Sequence, residues 1–196
     1  MSIKNYSPID CSTFHCIFKN MKHLAEVSVI IPSYKSSKTL YKCLESVTKQ
    51  CTQWRYKVIV VHSGSEPISE DILSAFDEVR FYSFHTRWLP GKARNWAVKQ
   101  FDAPWILFLD SDCIVPDNWI ETLVCKAIEH DADGIGGGIQ NATQWNLLSW
   151  IMHLLEFGEW LPKGEPRLYD NFPSCNALYK RSALLEVGGF PEDLFH

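Results

Sequence analysis

The stretch PWILFLDSD, residues 104–112, decides how the rest of the chain is read: a continuous apolar run, Trp105 to Leu109, leads directly into two aspartates separated by one serine. A short unbroken apolar run bounded by proline and polar turn residues reads as a strand buried on both faces, so this one belongs in the middle of a sheet. Outward from it, VSVII (27–31) is a second such run, broken by Pro32 and Ser33. KVIVV (57–61) is a third, closed by His62, Ser63, Gly64 and Ser65, and Val79 to Phe84 alternates like a further strand. Between them lie helical patterns. Leu40, Cys43, Leu44 and Val47 recur at helical spacing behind Ser36 or Ser37 as cap, and a short helix fits 68–76. Another helix begins at Gly91 and runs to Phe101, and Ile120, Leu123, Val124, Ala127 and Ile128 form the buried stripe of one capped by Asp117. Gly134 to Ile139 is a glycine-rich strand candidate. This alternation predicts an α/β domain with a mainly parallel sheet covered by helices on both faces. Ligands of such sheets sit beyond the carboxyl ends of the strands.

Composition bounds the rest. The 196 residues are about 1.3 times the ~150 usual for one domain, so a single domain over 26–196 is expected, after a weakly patterned extension over 1–25. A hydrophobic fraction of 46% with 21% charged residues excludes a disordered chain. With 19 Lys+Arg against 23 Asp+Glu, the formal charge of -4 excludes a surface built to hold nucleic acid through its phosphates. The 7 cysteines form no CxxC pair and sit among apolar residues, which points to free thiols in a reducing compartment. No secretory signal is visible, and no run reaches the ~18 apolar residues of a membrane-spanning helix, so a cytoplasmic chain is expected. Trp145 to Leu161 is apolar almost all round. It reads either as a buried helix covering one sheet face or as a segment lying at the inner face of a membrane.

Three features could carry chemistry. Asp110 and Asp112 follow the most buried strand, and residues i and i+2 of an extended segment point to one side. At ~6 Å and an effective dielectric of ~20 they repel by about 3 kcal/mol, which Mg²⁺ or Mn²⁺ bridging to phosphate oxygens would offset. Gly91-Lys92-Ala93-Arg94-Asn95 opens a helix, where free N–H groups and the positive charge of Lys92 and Arg94 suit a diphosphate. Tyr34, after Pro32 and Ser33, could lie against a nucleotide base through its ring face. Each also fits a blander reading: a solvated acidic turn, a solvated first helical turn, a tyrosine on the rim of the core. His62 is expected to be a satisfied structural histidine at the same sheet edge. The absence of a G-x-S-x-G elbow and of a G-x-x-x-x-G-K-[ST] loop removes serine-hydrolase and P-loop readings. Paired carboxylates with a metal also serve nucleotidyl transfer, which no further motif here requires.

Taken together, VSVIIPSY (27–34), VIVVHSGS (58–65), GKARNWA (91–97), WILFLDSDCIVPDNWI (105–120) and SCNALYKRSALLEVGGFPEDLF (174–195) resemble the family-2 glycosyltransferases, with their GT-A nucleotide-sugar fold. The resemblance covers roughly residues 26 to 196. It implies an inverting, metal-dependent transfer of a sugar from a nucleotide-diphosphate donor, commonly uridine diphosphate, to a saccharide or lipid-linked acceptor, as in polysaccharide biosynthesis. It places Pro32, Tyr34 and Ser63 beside the base, Lys92 or Arg94 near the diphosphate, Asp110 on the ribose and Asp112 on Mn²⁺ or Mg²⁺. The family's general base comes a few positions after the GGF-x-E-D-L-F block, so the resemblance implies a C-terminal part beyond His196 and assigns no catalytic residue within the chain. Two departures stand out: His62 and Ser63 replace the usual acidic pair before Gly-Ser, and Lys35 stands where asparagine is common. They imply a shifted donor preference or a weakened donor site, and leave a catalytically inactive nucleotide-binding or scaffold module as the alternative function.

Overall fold

The β-branched runs become strands that share their apolar residues between two faces. In the computed structural model, which describes residues 26–143, 145–162 and 167–193, β1 (Glu26–Ser33), β2 (Arg55–Ser63), β3 (Arg80–Phe84) and β4 (Trp105–Leu109) form a parallel array. Two antiparallel strands extend it, β5 (Gly134–Gly136) and β6 (Asn176–Lys180), giving the order β3-β2-β1-β4-β6-β5. All of β4 is buried, and it lies between β1 and β6.

Period 2 then divides the core. Val29 and Ile31 of β1 and Leu107 and Leu109 of β4 face α1 (Leu40–Thr48) and α4 (Trp119–Glu129), whose buried stripes are the expected ones. Ile30, Ile106 and Phe108 face the other way, onto Ala93, Ala97 and Val98 of α3 (Pro90–Gln100) and Leu184 of α6 (Arg181–Glu186). Helices therefore cover both faces, as the alternation predicts. The short helix expected over 68–76 is α2 (Glu70–Ala75).

Several local expectations are corrected. Ser36 supports α1 through its carbonyl, which accepts from the Thr39 and Leu40 amides at 3.0 and 2.9 Å; neither Ser36 nor Ser37 caps with its side chain, and Thr39 holds the cap position. At α4 the cap position belongs to Asn118 instead of Asp117, again with no side-chain capping bond. β5 ends at Gly136, short of Ile139, whose amide donates outside the sheet, to the Trp160 carbonyl at 2.7 Å. Residues 174–186, left unassigned by the pattern, form β6 and α6. NALYK has little strand signature of its own and is held extended by its register with β4, Trp105↔Lys180 to Leu109↔Asn176.

The largest correction concerns α5 (Leu147–Phe157): no residue of it is buried. Leu147, Leu148 and Leu155 are 77%, 68% and 79% exposed, so the reading as a buried cover for the sheet fails. Asn146 caps it by accepting from the Ser149 amide, and Ser149 Oγ bonds Asn141, so Ser149, Trp150 and His153 turn inward, half-buried, while the leucines and Glu156 face outward. Among the described residues no helix is long and apolar enough to cross a membrane. The extension expected over 1–25 lies outside the described residues.

Candidate functional site

Because β1, β2, β3 and β4 run parallel, their carboxyl ends meet at one edge, and every side chain singled out above for chemistry lies at or near it. Ile30 pairs with Phe108, so Asp110 follows β4 at the end of the sheet where β1 also runs out. Beyond β4 the chain does not stay extended: the Cys113 amide donates to the Asp110 carbonyl at 3.0 Å, closing a turn over 110–113. The two carboxylates are thus held by a turn, not by strand pleat as the i, i+2 argument supposes.

Asp110 is ion-paired. Arg94 Nη2 donates to Asp110 Oδ1 at 2.7 Å, with the arginine side chain 4% exposed and the aspartate 41%. The guanidinium also lies 5.8 Å from the Phe108 ring centre and 5.5 Å from that of Phe190. Arg94 is therefore a buried support beneath Asp110, which leaves Lys92 as the exposed member of the pair expected near the diphosphate. Burial pushes the Asp110 carboxyl above its usual range; Arg94 opposes the shift through its charge and hydrogen bond, and Asp112 adds to it. Cys43 donates from Sγ to the Asp110 carbonyl at 3.5 Å, and burial, followed by the two aspartates, raises this thiol to about 12, so it stays protonated. The Cys113 thiol is raised by its hydrogen bond to Cys175 and by burial.

Asp112 is exposed. It and the second oxygen of Asp110 are hard donors of the kind Mg²⁺ and Mn²⁺ take, and the residual repulsion between the two carboxylates favours a cation there. Among the described residues no group of three His, Cys, Asp or Glu side chains surrounds a metal. This pair fits a cation that brings its other ligands from elsewhere.

On the other side of β1 a cavity of about 260 Å³ is lined by Tyr34, Lys35, His62, Ser63, Glu66 and Arg87, among others. Tyr34, 37% exposed, carries the Arg87 guanidinium 4.5 Å from its ring centre. Gly64 has φ of +127°, and a Cβ there would stand 3.2 Å from the tyrosine ring, so glycine lets the β2 loop close on Tyr34. Ser63 is buried and donates to the Trp88 carbonyl at 3.4 Å, tying the end of β2 to the entry of α3. Lys92, exposed on the first turn of α3, reaches over the Trp88 ring at 4.9 Å. Pro32 stays in β1, half-buried, and does not line the cavity.

Two features escape the sequence reading. The glycine of GKARN does not bring backbone to a phosphate: a Cβ at Gly91 would collide with the Pro191 carbonyl oxygen. Asn95, buried, donates to the Phe190 carbonyl at 2.8 Å and to Glu192 Oε1 at 3.0 Å, and accepts from the Phe190 amide at 2.8 Å. The GKARN and GGFPED blocks are one packing unit, with α3 holding Asp110 through Arg94 and residues 189–192 through Asn95. His85 and Arg87 were also missed, although both follow β3 at the edge where the parallel strands end.

Comparison with known proteins bears on the family and the fold. The family model described as glycosyl transferase family 2 matches residues 28–188. The glycosyltransferase GlyG of Streptococcus pneumoniae is 34% identical over 119 residues, 59% of this chain and 39% of GlyG. In structure, TarS 1–349 of S. aureus in complex with UDP-GlcNAc superposes with a TM-score of 0.65 at 22% identity, covering 86% of this chain and 49% of that one. The mannosyltransferase PcManGT of Pyrobaculum calidifontis, in complex with GDP-Man and Mn²⁺, gives 0.67 at 18%, covering 88% and 49%. These two likenesses establish the fold, and the chain spans about half of those structures and 39% of GlyG.

Proposed function

The chain belongs to glycosyl transferase family 2, and from that premise we propose that it binds a nucleoside-diphosphate sugar along the carboxyl edge of its sheet and serves transfer of the sugar to an acceptor hydroxyl with inversion. The observation that carries this reading is the shared edge: a cavity of nucleobase size beside Tyr34 on one side of β1, and a paired-carboxylate turn on the other. Uridine diphosphate is the favoured carrier: TarS, whose structure holds UDP-GlcNAc, is also 29% identical to this chain over 115 residues, whereas PcManGT, with GDP-Man, is similar in backbone.

In this reading Tyr34, Ser63 and Arg87 frame the base, Asp110 meets the ribose, and Asp112 with Asp110 would hold Mn²⁺ or Mg²⁺, a cation that neutralises diphosphate charge when bound. As the bond between sugar and β-phosphate breaks, negative charge grows on the leaving diphosphate, and exposed Lys92 is the side chain available to face it. Arg94 orients Asp110 from beneath. No residue of the chain is assigned as the base that takes the acceptor proton, and the Glu192 carboxylate is committed to Asn95. The acceptor is a saccharide or a lipid-linked saccharide of the kind used in polysaccharide assembly. The latter would bring the exposed apolar face of α5 to the inner surface of a membrane and place the protein in the cytoplasm.

Calorimetric titration with UDP, with and without Mn²⁺, tests the donor site. Binding is expected to strengthen with Mn²⁺ in the wild type, and Asp112→Asn should lose that gain, about tenfold or more in affinity. Binding indifferent to both metal and mutation would refute the assignment of Asp112.

A further inference from the structure

We infer that His62 is a positioning residue of the cavity: an imidazole carrying a proton on Nε2 that clamps the Gly64–Glu66 wall to the end of β1. The inference rests on the donor-site reading for its consequence in binding, but its geometry stands on its own. Ser33, Ser36 and His62 are all buried where β1 and β2 end, with Ser33 in register with His62. Ser36 Oγ lies 2.7 Å from Ser33 Oγ, Ser33 Oγ lies 3.0 Å from His62 Nδ1, and His62 Nε2 lies 2.6 Å from the Glu66 carbonyl oxygen.

A carbonyl can only accept, so the proton sits on Nε2. In a neutral ring Nδ1 is then an acceptor, which makes the Ser33 hydroxyl its donor and Ser36 the donor to Ser33. The bonds form a directed chain from the start of α1, where the Ser36 carbonyl accepts from Leu40, to the wall of the cavity. No solvated carboxylate could do this work at position 62, because a carboxylate cannot donate to the Glu66 carbonyl. The residue that departs from the acidic pattern of the resembling family thus has its own task. It holds the loop whose Gly64 lies against Tyr34 and whose Ser65 and Glu66 line the cavity.

Two substitutions separate the two ring nitrogens. His62→Gln places an amide donor near Nε2 and can keep the bond to Glu66, whereas His62→Asn reaches only the Nδ1 position and loses it. With UDP and Mg²⁺ as the probe, His62→Gln should bind within about threefold of wild type and His62→Asn about tenfold more weakly, while circular dichroism shows both folded. Long-range ¹⁵N NMR of the imidazole should report the Nε2–H tautomer at neutral pH, a measurement that needs no variant. An Nδ1–H tautomer, or equal binding by the Gln and Asn variants, would overturn the clamp. If UDP does not bind the wild type, the donor-site reading fails separately and amide exchange decides the clamp. Faster exchange at Ser65 and Glu66 in His62→Asn but not in His62→Gln supports it; identical exchange overturns it.

Discussion

Arg94 and Asp110 show how one pair governs this edge. The arginine is nearly sealed between Phe108 and Phe190, and its charge is compensated by a carboxylate that is 41% exposed. Because solvent screens the aspartate side, Arg94→Met should cost less than loss of a fully buried pair, about 2 kcal/mol. Urea unfolding read by tryptophan fluorescence measures this. A variant as stable as wild type would mean that the pair contributes nothing to the fold. The positions of Asp110, Asp112, Lys92, Tyr34 and Ser63 at this edge were legible because each sits where a strand ends or a helix begins. Arg94's burial was not: a basic residue in a first helical turn reads as anion-seeking until its partner, 16 positions later, is known. Nor was the bonding of His62, whose partner Ser33 ends β1, 29 positions earlier, and whose partner Glu66 lies in the loop after β2.

At the scale of elements, continuous apolar runs made β1, β2 and β4 legible, since strands buried on both faces need no partner to reveal themselves. β6 was hidden in NALYK, whose extended form comes from pairing with β4. α5 misled for the opposite reason: an almost wholly apolar helix reads as buried, yet its leucines face outward. Replacing Leu148 and Leu155 with lysine should therefore leave stability within about 0.5 kcal/mol of wild type, as at other surface positions. Flotation with vesicles containing anionic lipid tests the membrane contact proposed for α5. The wild type should float and the double variant should sediment; equal behaviour of the two would remove that contact.

At the scale of the whole molecule, the proposed donor site spans four strand ends along the carboxyl edge, those of β1, β2, β3 and β4. α3 joins its parts: Ser63 ties the end of β2 to the entry of α3, and α3 in turn fixes Asp110 through Arg94 and the 189–192 segment through Asn95. The architecture was legible from strand–helix alternation, whereas the coupling through α3 depends on contacts between segments far apart in sequence. The most direct measurement is an amide NMR titration of the chain with UDP and Mg²⁺. Shifts are expected to saturate together at Tyr34, Gly64 and Ser65 on one side of β1 and at Lys92 and Asp112 on the other. Shifts confined to one side, or located away from this edge in a folded chain, would contradict the proposed donor site.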